Sequence, residues 1–301
     1  MVNHPLRSEI IATALANQMV NEMGCNFVTR LQEETGASTA DIANAYTSGR
    51  EIFALGDILT KVRKLDNIAE ASAQYDVIYF VRRTLRRLTR WLLRNRAGKH
   101  SVKEMIALYR DDVVTISAKL DEMLVPEEVE DHNQVAQAWV ERGIDADVAN
   151  YVARLSSLYS MLDISTVARQ TNRSIEQTGK LYFNLGDRLS LHWFLKQING
   201  QAVDNNWQAL ARAAFREDLD WQQRQLTAQV LECRCKSEKL DVLDALDDWI
   251  INNELSLHRW ENILNEFKVG SVHEFAKFSV ALRELNLLSL NCSCNEPYVE
   301  A

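Results

Sequence analysis

The residue types that could carry chemistry in this chain are few, and their spacing argues against most familiar sites. A dinucleotide or phosphate cradle needs closely spaced glycines at a strand-to-helix turn, so that backbone N–H groups can reach the phosphates. Here Gly24, Gly36, Gly49, Gly56, Gly98, Gly143, Gly179, Gly186, Gly200 and Gly270 each lie at least seven residues from the next. Neither GxGxxG nor a P-loop fits that spacing, so no cofactor is expected to bind this chain in the Rossmann manner. Two CxC pairs, Cys233 with Cys235 and Cys292 with Cys294, invite a four-cysteine zinc reading. Structural zinc sites usually leave two to four residues between paired ligands, and residues two apart on a helix point in nearly opposite directions. His273 and Glu274 begin like a zincin, but the second ligand position is Lys277. No metal is expected. No serine or cysteine sits in a recognisable nucleophile motif, and the apolar surroundings of Cys25 suit a small buried side chain better than a reactive thiol. The chain is expected to be non-catalytic.

Charge supplies stronger candidates. No acid occurs between Asp76 and Glu104, a stretch that holds Arg82, Arg83, Arg86, Arg87, Arg90, Arg94 and Arg96. At ~100° per residue, Val81, Leu85, Leu88 and Leu92 share one arc, and the arginines lie mostly opposite it. The stripe fits three roles: a solvated or salt-bridged outer face, a dock for an acidic face of another domain or subunit, or a contact for nucleic acid or anionic lipid. Arginine's planar fork suits carboxylates, while single-strand binders interleave aromatics. Asp218 stands out as an acid on one arc with Trp207, Ala211, Ala214 and Trp221, which reads as a packing face. A carboxylate buried there needs a partner.

These residues must be positioned by helices. The only prolines are Pro5, Pro126 and Pro297, and alternating strand-like runs are missing. Ser38 with Asp41, Asp145, Ser174 with Gln177, Asp204 and Ser237 each sit where an N-cap precedes an apolar-periodic run. The expected fold is all-α, a bundle-like array of roughly a dozen helices of ordinary length, without a Rossmann domain. Two longer helices are expected, near Tyr75–Arg96 and Asn205–Lys236. Met123–Gln134, with Pro126 and the acids Glu127, Glu128, Glu130 and Asp131, reads as a surface loop or short hinge. It divides the chain into helical halves, 1–125 and 126–301, or interrupts one continuous domain.

The whole sequence reads as an ordinary globular protein: 47% apolar, 25% charged, net charge −8. That balance makes whole-surface attraction to nucleic acid unfavourable. No run approaches the ~20 apolar residues of a membrane span. The start lacks the apolar core of a signal peptide, and five scattered cysteines suit a reducing cytoplasm.

Several blocks carry a family resemblance. They are His4–Ser38 (HPLRSEIIATALANQMVNEMGCNFVTRLQEETGAS), Trp207–Thr227 (WQALARAAFREDLDWQQRQLT), Trp91–Arg96 (WLLRNR), Leu162–Ile164 (LDI) and Tyr182–Gln197 (YFNLGDRLSLHWFLKQ). Together they resemble the C-terminal region of the large bacterial NAD-specific glutamate dehydrogenases, thinning beyond Lys236. The resemblance implies an accessory helical region, structural, assembling or regulatory, of a homo-oligomeric enzyme that deaminates L-glutamate to 2-oxoglutarate and ammonia with NAD, its catalytic domain lying upstream in the same polypeptide. No catalytic residue carries over. Arg30, Glu33 and Glu34, in the first block, become docking candidates beside the arginine stripe and Asp218. One departure is Gly49, which sets a helix-weakening residue where the family favours helix formers. The rival reading is a free-standing helical binding module acting through Arg82–Arg96.

Overall fold

The computed structural model describes residues 4–96, 99–233, 241–269 and 274–291. Among these every regular element is a helix: α1 (Arg7–Met23), α2 (Phe27–Thr35), α3 (Thr39–Ile52), α4 (Leu55–Arg63), α5 (Ala71–Arg96), α6 (Val102–Met123), α7 (Pro126–Glu141), α8 (Ala146–Ala153), α9 (Leu155–Leu158), α10 (Met161–Thr171), α11 (Ile175–Arg188), α12 (Leu191–Gly200), α13 (Asn206–Cys233), α14 (Val242–Asn252), α15 (Glu254–Val269) and α16 (Phe275–Asn291). The all-α expectation holds, and no sheet among the described residues could carry a Rossmann fold. No described helix is long and apolar enough to cross a membrane.

Local chemistry explains most boundaries. Ser38, Asp145 and Ser174 cap α3, α8 and α11 by accepting from the backbone N–H of Asp41, Val148 and Gln177. At α13 the cap is Asn205, one residue beyond the expected Asp204; its Oδ1 accepts from Gln208 N at 3.0 Å, and Gln208 reaches back to the Asp204 N–H. Ser237 lies outside the described residues. Met123–Gln134 is not the expected loop. Pro126 opens α7 at the position where its missing N–H has no intrahelical role, and Glu127 and Glu128 in the first turn oppose the positive helix end.

The chain forms two compact units that alternate along the sequence. One takes the described residues up to Ala118 with Glu127–Tyr159; the other takes Lys119–Pro126 and the described residues from Ser160 onward. In the first, α5 is the central element, burying Val77, Val81, Leu85, Leu88 and Leu92 against its neighbours. Its main partner is α3, and Gly49 is why: a Cβ there would come within 3.2 Å of Leu88 Cβ. The glycine permits close helix contact, and α3 runs through it unbroken, so the expected weak point is a packing device.

The second unit closes around aromatics. Phe194 meets Trp260, Phe267 and Phe278 with ring centroids 5.3–5.6 Å apart, within the favourable range for such pairs. Helices α14 to α16 complete this core. Trp260 donates its indole N–H to Leu189 O at 2.9 Å, whereas no described atom accepts from Trp249 Nε1, which is equally buried. Trp260→Phe should therefore be the more destabilising change by roughly 1 kcal/mol or more, because it orphans a buried carbonyl while Trp249→Phe removes an orphan donor. Urea midpoints of the two variants decide this; equal losses would mean that the Leu189 bond contributes nothing.

Candidate functional site

The arginine stripe folds back onto its own unit. Glu34, near the C-terminal end of α2, receives Arg86 Nη2 on Oε1 and Arg90 Nη1 on Oε2, the latter at 2.9 Å. Arg94 Nη2 donates to the Glu34 carbonyl at 3.0 Å, and Arg82 Nη2 to the Asn21 carbonyl of α1 at 3.0 Å. Carbonyls in a helix's last turn lack intrahelical partners and carry the negative end of its dipole, so guanidinium groups suit them. Arg87 stacks over Tyr159, 3.9 Å from the ring centroid. The Glu34 side chain is 10% exposed and Arg90 11%, so this is a half-dry clasp rather than a solvated surface pair. Of the expected docking residues, the structure brings together Glu34, Arg82, Arg86, Arg90 and Arg94. Arg30 and Glu33 are exposed on α2, outside this clasp.

A second ionic group joins α1 to α3. Glu22, 4% exposed, accepts from Tyr46 Oη at 2.5 Å and from Arg50 Nε and Nη2 at 3.1 Å each. The Gln18 amide, turned with its oxygen toward the guanidinium, accepts from the same two nitrogens at 2.7 and 3.1 Å. The guanidinium lies over Gly56 of α4, where a Cβ would come within 2.2 Å of Arg50 Nη1. Burial pushes the Glu22 carboxyl upward, but the Arg50 and Tyr46 hydrogen bonds outweigh it and hold the group below its ordinary 4.5. Burial and then the Glu22 contact raise the Tyr46 hydroxyl, which stays protonated as the donor. A depressed folded-state value means stability that is present above pH 4.5 and lost as pH falls through the lowered value. Wild type should therefore lose stability on acidification below about pH 4.5 more steeply than Glu22→Gln. Chemical denaturation across pH 3–6 measures both slopes, and parallel curves would remove Glu22 from the account.

In the second unit the buried ion pair joins Asp163 of α10 to Arg224 of α13, Oδ1 to Nη1 at 3.0 Å, with side chains 2% and 13% exposed. Asp163 belongs to the LDI block and Arg224 to the Trp207–Thr227 block. The YFNLGDR block joins them: Gln223 Nε2 donates to Tyr182 O at 2.9 Å, and a Cβ on Gly186 would come within 2.6 Å of that nitrogen. The sequence points instead to Asp218, and there the expectation fails. Asp218, Ala214, Trp207 and Trp221 all lie on the exposed side of α13, while Phe215, Leu219, Gln222 and Leu226 enter the core. Asp218 is therefore no buried carboxylate. The signal for Asp163 is present in the sequence: it is the lone acid in the apolar run Met161–Ile164.

Other chemistry finds little support. Among the described residues no group of three His, Cys, Asp or Glu side chains could hold a metal ion. Of the CxC pairs only Cys233 is described, and it is disulfide-bonded. Cys25 is exposed rather than buried, its thiol 3.5 Å from Asn26 Oδ1. Ser157 Oγ lies 3.3 Å from His132 Nε2, the distance of a nucleophile and its base, but both side chains are buried.

The ionic residues described above thus tie helices together within each unit, and the class they define is an all-helical module. Known proteins place that module in a family. The family model for the C-terminal region of glutamate dehydrogenase matches residues 1–287, and the chain belongs to that family. It is 36% identical over 285 residues to the NAD-specific glutamate dehydrogenase of Pseudomonas aeruginosa and 37% identical to that of Halomonas elongata, covering 95% of this chain in each case. The Mycobacterium tuberculosis protein of the same name is 25% identical over 287 residues. The chain spans only 18%, 18% and 17% of these three relatives.

Proposed function

We propose that this chain is the C-terminal helical accessory region of a polypeptide that oxidatively deaminates L-glutamate to 2-oxoglutarate and ammonia, reducing NAD. The glutamate and NAD sites belong to the remainder of that polypeptide, upstream, and this region packs against it, supporting its orientation and its assembly into a cytoplasmic homo-oligomer. The carrying observation is a match along nearly the whole chain that accounts for under a fifth of each relative. The relatives' NAD specificity supports NAD for the parent. The engagement of Arg82, Arg86, Arg90 and Arg94 with Glu34 and α1 favours this reading over a module that offers the same stripe to nucleic acid.

The test mixes the purified chain with a separately expressed catalytic portion and follows glutamate-dependent NADH formation. The chain alone should be inactive, and mixing should raise the rate or the thermal stability of the catalytic portion. A catalytic portion indifferent to the chain in rate, stability and oligomeric state would sink the proposal.

A further inference from the structure

The core leaves a Trp-bearing stripe of α13 uncovered. Trp207 is 80% exposed and Trp221 42%, and Ala214 between them is exposed as well. Fourteen residues separate the two indoles, about 21 Å at 1.5 Å per residue. Ala211, on the flank of the stripe, already packs against the core, which leaves the small side chain of Ala214 alone between the two indoles. The helix is not free to roll and bury the stripe, because Phe215, Leu219 and Leu226 fix its opposite side in the core. Tryptophans held in water in this way mark an interaction surface, and they are prominent among residues that dominate binding energy.

Two occupants compete, a second copy of the chain and the remainder of the polypeptide. The relatives are more than five times as long as the matched region, so most of the polypeptide lies outside this chain and can supply the cover. Both tryptophans also lie in one of the blocks that carry the resemblance. We propose that the Trp207–Trp221 face of α13 is the docking surface for an apolar helical segment of the remaining polypeptide, seated on Ala214 between the two indoles. This rests on the functional reading above and names the surface it requires.

Hydroxyl-radical footprinting with mass spectrometry reads the two indoles directly, in the 301-residue chain and in the whole polypeptide that contains it. Oxidation of Trp207 and Trp221 should fall about tenfold in the whole polypeptide, while the buried Trp249 and Trp260 stay slow in both. If this region associates with the remainder, as judged by co-elution of separately expressed pieces, yet both indoles oxidise at unchanged rates, the surface is wrong and the functional reading survives. Absence of any association overturns both. Protection that appears in the isolated chain as its concentration rises assigns the face to a second copy and overturns the proposal.

Discussion

Arg224→Ala should destabilise the second unit by about 3–5 kcal/mol, the range for breaking a buried ion pair from one side. The loss comes less from attraction forgone than from what remains: an Asp163 carboxylate 2% exposed, without this guanidinium and away from water that could solvate it. Replacing both partners at once, Asp163→Leu with Arg224→Met, should cost far less, because two well-packed apolar side chains leave no uncompensated charge. The same logic orders the intermediate case. Asp163→Asn keeps the shape and a hydrogen-bonding oxygen but withdraws the charge from a cation that is itself 13% exposed, so it should fall between the other two. Urea denaturation of wild type and the three variants gives the order of the losses. A double variant as unstable as Arg224→Ala would show that the two helices need this pair for packing rather than for charge balance.

The fold was largely legible and the candidate site only partly so, for reasons that differ by residue. Helix α5 could be read because one face is apolar along its whole length, from Val77 to Leu92. The caps at Ser38, Asp145 and Ser174 could be read because capping is local chemistry. Helix α13 defeated the wheel. Its first half buries one side through Phe215 and Leu219, but its second half is buried nearly all round through Leu226, Thr227, Ala228, Val230 and Leu231. No single stripe describes such a helix, and the tryptophans drew the face to the wrong side. The arginine stripe was visible, but its acid was not assignable, since Glu34 lies 52 residues before Arg86. Pro126 misled in a different way. A proline among acids suits a loop and a helix's first turn equally well, and only the chain that follows distinguishes them.

Glycines whose spacing excluded a phosphate site prove to matter for packing, and Gly143 should be the most sensitive of them. It follows α7 with φ +92°, a region that L side chains rarely adopt. The turn is a Schellman motif: Gly143 N–H donates to Val140 O and Ile144 N–H to Trp139 O, at 2.9 and 3.0 Å. It is pressed against the approach to α5, where the Glu70 N–H donates to Arg142 O at 3.0 Å and the Arg142 side chain reaches Glu70, Ser72 and Asp76. A Cβ on Gly143 would lie 2.9 Å from Ala69 Cα, and backbone has nowhere to rotate. Gly143→Ala should cost about 1–2 kcal/mol for the left-handed conformation and a further 1–3 kcal/mol, roughly, for the forced shift. Gly36, the C-cap of α2, separates the two contributions. Its φ is +71° but nothing lies within 4 Å of a Cβ built there, so Gly36→Ala should show the conformational part alone. Thermal melts of both variants therefore test the close approach itself. Equal losses would mean that the contact between Gly143 and Ala69 constrains nothing, while a larger loss at Gly143 would show that the junction between α7 and α5 depends on a residue without a side chain.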